Sequence, residues 1–213
     1  MKKKVTEVVF ILDRSGSMGG LESDTIGGFN SLINKQKEED GKAYVTTVLF
    51  DDMYEVIHNR TNLKKIPKMT QKDYYVRGTT ALLDSIGKTI KLVSETQKII
   101  SEKSDNVMFV IITDGMENAS QEYTQEKIKK IIEKKKSKHG WEFVFLGANI
   151  DAVKTARNIG ISKDRAANYH ADSEGINVSY AAVSETVKSY RSGKKIDDEW
   201  KENIESDYVE RNN

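Results

Sequence analysis

Four mostly apolar runs recur along this chain, each ending in polar or small residues. Residues 5–12, 43–50, 106–112 and 141–146 are nearly continuous in apolar character rather than alternating, which is the pattern of strands buried on both faces. Between them lie helical stripes. Ile26, Phe29, Leu32 and Ile33 form one behind a candidate cap at Ser23-Asp24, and Leu82, Leu83, Ile86, Ile90 and Val93 form another after Gly78. Ile128, Ile131 and Ile132 mark a third helix, which Thr124 begins. Tyr180, Val183, Val187 and Tyr190 mark one over 177–190. Buried strands alternating with amphipathic helices predict a three-layer, doubly wound, mostly parallel sheet of the Rossmann-like α/β class. Residues 54–59, after a hairpin turn at Asp51-Asp52, read as the single antiparallel edge strand.

The remaining chain gives weaker signals. Residues 60–77 are polar and irregular and hold the only proline, Pro67. A short helix is expected over 152–159 and a weak strand over 167–170. The expected organisation is one domain over 1–190, followed by a polar tail or helix over 191–213 that carries Trp200. At 213 residues there is little room for a second domain.

Composition narrows the chemistry. The absence of cysteine excludes disulfides, thiol catalysis and thiolate metal sites. His58, His139 and His170 have no ligand spacing. A formal net charge of +1 gives no global pull toward nucleic acid or membranes, and the lysine run at 129–138 reads as the exposed face of an amphipathic helix. The start, Met1-Lys2-Lys3-Lys4 followed by a short apolar stretch interrupted by Glu7, does not have the form of a signal peptide, and no stretch approaches the roughly 20 apolar residues of a membrane span. The expectation is a soluble cytoplasmic protein with neither nucleic-acid nor membrane partner.

Chemistry-bearing residues gather where the apolar runs end. Asp13-Arg14-Ser15-Gly16-Ser17 follows the first run, Gly78-Thr79-Thr80 precedes a helix, and Thr113-Asp114-Gly115 follows the run at 106–112. Each alone reads equally well as a capping or turn segment. In a parallel sheet, strand C-termini share one edge, so the three segments can meet there. Two carboxylates with serine and threonine hydroxyls form a hard oxygen donor set that suits Mg²⁺ or Mn²⁺, with Ca²⁺ as a further alternative.

The D-x-S-x-S pattern, the G-T-T-A-L helix start and the strand-ending T-D-G together resemble the metal-ion-dependent adhesion site of von Willebrand factor A domains. The resemblance covers roughly residues 5–190 and is nearest to bacterial cytoplasmic members. It implies that Ser15, Ser17 and Thr80 coordinate the cation through hydroxyls, with Thr79 as the runner-up to Thr80. Asp13 and Asp114 would bind through water or directly. It further implies a protein-binding module in which the cation takes an Asp or Glu side chain of a partner protein. Arg14, Met18, Thr79, Met116 and Asn149 would form the contact rim, with Arg14 raising the local positive potential. Gly16 would let the loop turn tightly.

The main rival is a Mg²⁺-dependent hydrolase of the phosphatase type, which also places an aspartate and Mg²⁺ after a first strand. Such enzymes require a second aspartate two residues on, and here that position is Ser15.

Overall fold

The computed structural model describes residues 4–212; the Met1-Lys2-Lys3 start lies outside the described residues. Six strands form one sheet: β1 Thr6–Asp13, β2 Ala43–Phe50, β3 Tyr54–Asn62, β4 Asn106–Thr113, β5 Glu142–Gly147 and β6 Ala166–Asn168. Their order is β3-β2-β1-β4-β5-β6. All pairs are parallel except β2–β3, so the expected doubly wound sheet with one antiparallel edge strand is the observed one. Among the described residues no helix is long and apolar enough to cross a membrane.

β1 is central and buried along its whole length, and its side chains alternate between two cores. Val8, Phe10 and Leu12 face helices α1 (Glu22–Glu38) and α5 (Ser173–Arg191). Val9 and Ile11 face α2 (Leu82–Ile99) and α3 (Gln125–His139), and Ala152 and Ala156 of the short α4 (Ala152–Asn158) join that second core. Each large aliphatic side chain removed from water in this way contributes about 1.5–3 kcal/mol, which is why the strands are specified so strongly.

Two helix starts differ from the sequence reading. Ser23 and Asp24 lie inside the first turn of α1, which begins after Leu21 without a side-chain cap. More consequentially, neither Thr79 nor Thr80 caps α2. Its first amides are taken by the loop after β4: Glu117 Oε2 accepts from Leu83 N–H at 2.8 Å, and Ser120 Oγ accepts from Asp84 N–H at 3.0 Å. Asp84 returns the contact by accepting the amides of Gln121, Glu122 and Tyr123 at 2.9–3.0 Å. The start of α2 and the loop after β4 are thus one hydrogen-bonded unit, and both threonine hydroxyls are released from capping.

The segment beyond α5 is helical and packed. A 3₁₀ turn at Asp198–Lys201 leads into α6 (Glu202–Glu210), with Trp200 and Ile204 buried in the α1/α5 core. Trp200 Nε1 donates to the Asp164 carbonyl at 2.8 Å, and Lys201 Nζ reaches the Ala166 carbonyl of β6 at 3.3 Å. This segment shields an edge strand whose backbone would otherwise be open to pairing.

Candidate metal centre

The three polar segments do converge at the C-terminal edge of the parallel strands. Asp13 ends β1 and Thr113 ends β4, its neighbour in the sheet. Asp13 is buried and holds its own loop in place: Oδ1 accepts from Ser15 N–H at 2.7 Å and Oδ2 from the Thr113 hydroxyl at 2.5 Å. The Ser15 and Ser17 hydroxyls stand 3.2 Å apart, and Ser17 Oγ donates to Asp114 Oδ1 at 2.6 Å. Thr80 belongs to the same cluster. A Cβ built on Gly115 would lie 3.2 Å from both Ser17 Oγ and Thr80 Oγ1 and 4.0 Å from Ser15 Oγ, so the three hydroxyls lie within 4.0 Å of one point.

Backbone bonds fix the loops against one another. Gly16 N–H donates to the Gly78 carbonyl at 3.1 Å, Arg77 N–H to the Arg14 carbonyl at 2.9 Å, and Asn118 N–H to the Thr80 carbonyl at 3.0 Å. Gly16 itself has no left-handed backbone. The glycine that needs its freedom is Gly78, at φ +64°, where a side chain would overlap the Asp52 carboxylate. Below the site, the buried Tyr74 hydroxyl donates to the Asp13 carbonyl at 2.5 Å.

The electrostatics are unbalanced. Burial pushes Asp13 above the usual carboxylate range against the opposing bond from Thr113. Asp114 is pushed up to about 6 by burial and, less strongly, by the charge of Asp13, with the Ser17 hydroxyl working the other way. Its Oδ2 is buried without a hydrogen-bond partner. Neither carboxylate pairs with a lysine, arginine or histidine among the described residues.

The donor set fits a hard divalent ion. Two adjacent ligands on an octahedral ion with bonds of about 2.1 Å lie about 3.0 Å apart, close to the 3.2 Å between Ser15 and Ser17. The orphaned Asp114 oxygen adds an acceptor that such an ion would satisfy. Only two donors are acidic, and no group of three or more His, Cys, Asp or Glu suited to a metal occurs among the described residues. The set is therefore unsuited to zinc.

The expected rim divides. Thr79 and Asn149 are exposed beside the site, and Met116 is 72% exposed. Asn149 holds a left-handed backbone at φ 54°, which asparagine tolerates better than most residues, and its amide donates to the Asp114 carbonyl at 3.4 Å.

Arg14 and Met18 do not belong to the rim. Met18 is buried in the α1/α5 core, because the 3₁₀ turn Gly16–Met18 folds it inward. Arg14 has no exposed surface. Its Nε donates to Asp51 at 3.1 Å, and Nη1 lies 2.8 Å from Glu55, so its charge is spent on the β2–β3 hairpin rather than offered to a partner. Asp51 correspondingly is no solvated turn residue, being buried between Arg14 and Arg77, the latter at 2.6 Å; Asp52 alone faces solvent. Glu117 and Asp84 were not singled out by the sequence reading, and Asp51 was read only as part of a hairpin turn. The partners described above lie 26–39 residues away along the chain, and no local spacing announces them.

Compared by sequence, the chain matches no protein-family model and no curated protein. Its structure has clear relatives. A D319A mutant of the PilB minor pilin from Streptococcus sanguinis aligns at a TM-score of 0.63 and 13% identity, over 89% of this chain and 63% of that one. A von Willebrand factor type A protein from Catenulispora acidiphila aligns at 0.59 and 14% identity, over 88% of this chain and 43% of that one. Manganese-loaded TRAP protein from Plasmodium vivax aligns at 0.56 and 15% identity, over 83% and 72%. The chain thus spans under two thirds of the first two relatives. At these identities the likeness is one of fold, and the fold of this chain is that of von Willebrand factor A-like domains.

Proposed function

We propose that this domain is a divalent-cation-dependent protein-binding module. Ser15, Ser17 and Thr80 would hold Mg²⁺ or Mn²⁺ through hydroxyl oxygens, with Asp13 and Asp114 supplying negative charge. The observation that carries this reading is the gathering of three hydroxyls beside two buried carboxylates that no cation among the described residues neutralises. That a structural relative is manganese-loaded supports it.

The chemistry of the donors suggests what such a site would do. Neutral hydroxyls leave a bound ion more electron-poor than a carboxylate cage would, and an Asp or Glu side chain from another protein gains from that residual charge. In this reading the chain's own groups position and orient. Thr113 and the Ser15 amide hold Asp13, the Ser17 hydroxyl holds Asp114, and Glu117 and Ser120 hold the start of α2 so that Thr80 points inward. Thr79, Met116 and Asn149 would form the partner-facing rim. Hydrolysis is disfavoured because Ser15 stands where a phosphatase needs its acid/base aspartate.

The test is calorimetric titration of metal-stripped protein with Mn²⁺, followed by selection of peptides that bind in Mn²⁺ and elute with chelator. One ion per chain, lost in Asp13→Ala, and selected peptides with an acid whose amide analogue does not bind are the expected results. Turnover of phosphate esters by pure protein, lost in Asp13→Asn, would replace this reading with the hydrolase.

A further inference from the structure

A second feature lies away from the candidate metal centre. Helix α3 carries seven lysines against two glutamates, although the whole chain is only +1. Ile128 and Ile132 alone are buried, so the helix is held by a narrow stripe and presents most of its lysines to solvent. None of these lysines pairs with a carboxylate among the described residues. Lys127 and Lys135 lie over the rings of Tyr123 and Trp141, and Lys136 reaches the Gly160 carbonyl.

The opposite imbalance sits at the end of the chain. Residues 197–211 carry seven acids against Lys201 and Arg211. Glu205 pairs with Lys201 and Asp207 with Arg211, which leaves Asp197, Asp198, Glu199, Glu202 and Glu210 exposed without an ion pair among the described residues. Beside this segment runs a groove of about 590 Å³ between α5 and the 3₁₀ turn. Val178, Ala182, Ile196 and Trp200 line it, with Glu185 and Glu199 as its charged members. An apolar floor with carboxylates beside it matches a lysine side chain, whose methylene stem packs while its amine stays at the charged rim.

The two surfaces cannot be reading each other within one molecule. α3 packs through Ile128 and Ile132 on the α2 side of the sheet, whereas Trp200 and Ile204 belong to the core on the other side, and no ion pair joins the two segments. We propose that the lysine face of α3 docks on the acidic groove between α5 and residues 196–203 of a second copy of this chain. Patch and counter-patch are different surfaces, so the contact is heterologous. Each joined pair keeps one free patch of each kind and extends as a ring or a filament.

A polyanion from elsewhere is the competing occupant. Nucleic acid is disfavoured because the aromatics beside the helix, Tyr123 and Trp141, already lie under Lys127 and Lys135, and Trp141 is buried. A second copy is favoured because the complementary charge is present, exposed and unpaired on the same chain.

The test is sedimentation velocity of the whole chain over a range of concentrations and salt. At about 0.01 M salt, where the screening length is about 30 Å, the weight-average mass should rise with concentration above that of the monomer. At about 1 M salt, where the length is about 3 Å, it should return to the monomer value. The triple variant Lys130→Glu/Lys134→Glu/Lys138→Glu and the double variant Glu199→Lys/Glu202→Lys should each be monomeric at low salt. Mixing the two should restore association, because each then carries the charge that the other lacks. Circular dichroism of each variant checks folding, and repeating the runs with chelator separates this contact from the metal-dependent one. A monomer at low salt throughout, or association that survives in either variant alone, would overturn the proposal; binding of an added polyanion by that monomer would assign the lysine face to a foreign partner.

Discussion

Strand β1 buries a carboxylate at each end, and the protein treats the two in opposite ways. Glu7, at the N-terminal end, is raised by burial, but it has a cation: Arg60 Nε lies 3.4 Å away. Gln97 donates at 2.5 Å and Thr46 and Ser104 each at 3.2 Å, so the acid is surrounded by donors. Asp13, at the C-terminal end, has hydroxyl and backbone donors only, and its neighbour Asp114 brings a second negative charge and an unpartnered oxygen. The nearest arginine in sequence, Arg14, is turned away toward Asp51 and Glu55. An uncompensated buried charge is costly and is seldom kept without a use. In the proposed function, the difference between the poles makes one acid a structural tie and the other pair the place for an external cation.

The largest effect is expected at Glu7. Arg60→Met leaves that carboxylate buried without its countercharge and should cost about 3 kcal/mol, equally with Mn²⁺ or chelator, as read by urea unfolding. At the other pole, Thr80→Val should weaken Mn²⁺ binding about tenfold, or about 1.4 kcal/mol, by calorimetry. Asp114→Asn should do the reverse of Arg60→Met in the absence of ions. Removing a disfavoured charge should stabilise the metal-stripped protein by on the order of 1 kcal/mol while abolishing its response to Mn²⁺.

The same group gives a pH signature. Because Asp114 is raised to about 6 from 3.8 in the folded state, the native state binds more protons than the unfolded state across that window. Its contribution therefore lowers stability as pH rises from about 4 to about 6. His58, lowered by burial, has the opposite slope, losing stability as pH falls below its ordinary value. Subtracting the Asp114→Asn profile from wild type cancels His58 and should leave a curve that falls with rising pH. The smallest effect expected is that of Thr79→Val. That hydroxyl neither caps α2 nor lies at the convergence point, so stability should change by less than about 0.5 kcal/mol and Mn²⁺ binding should not change.

How much of this was legible follows from where the information lies. Each buried strand carries its own signal in consecutive apolar residues, and D-x-S-x-S keeps its geometry within five positions, so the sheet and the loop after β1 could be read locally. Arg14 could not. A cation beside a polar loop looks solvent-exposed until Asp51, on the neighbouring strand's end, is known to stand 3.1 Å away. Glu117 was invisible for the same reason, since its use as a cap depends on a loop folding back on a helix 34 residues earlier. Glu7 did leave a trace, as a lone acid within an otherwise apolar strand. Such a residue demands a partner, although the sequence does not say that the partner is Arg60. The sequence left a tail and a helix as alternatives over 191–213, and the packed helix, Glu202–Glu210, could not be chosen from them because Trp200 and Ile204 are too few to form a visible stripe.

The most direct test of the contrast between the poles is thermal unfolding of metal-stripped protein titrated with Mn²⁺, for wild type, Glu7→Gln and Asp13→Asn together. An ion that binds only the native state stabilises it by about 2.7 kcal/mol at a hundredfold excess over its dissociation constant. A concentration-dependent rise in Tm is expected for wild type and for Glu7→Gln, from a lower starting point in the latter, and none for Asp13→Asn. No rise in wild type, or an equal rise in Asp13→Asn, would contradict that contrast.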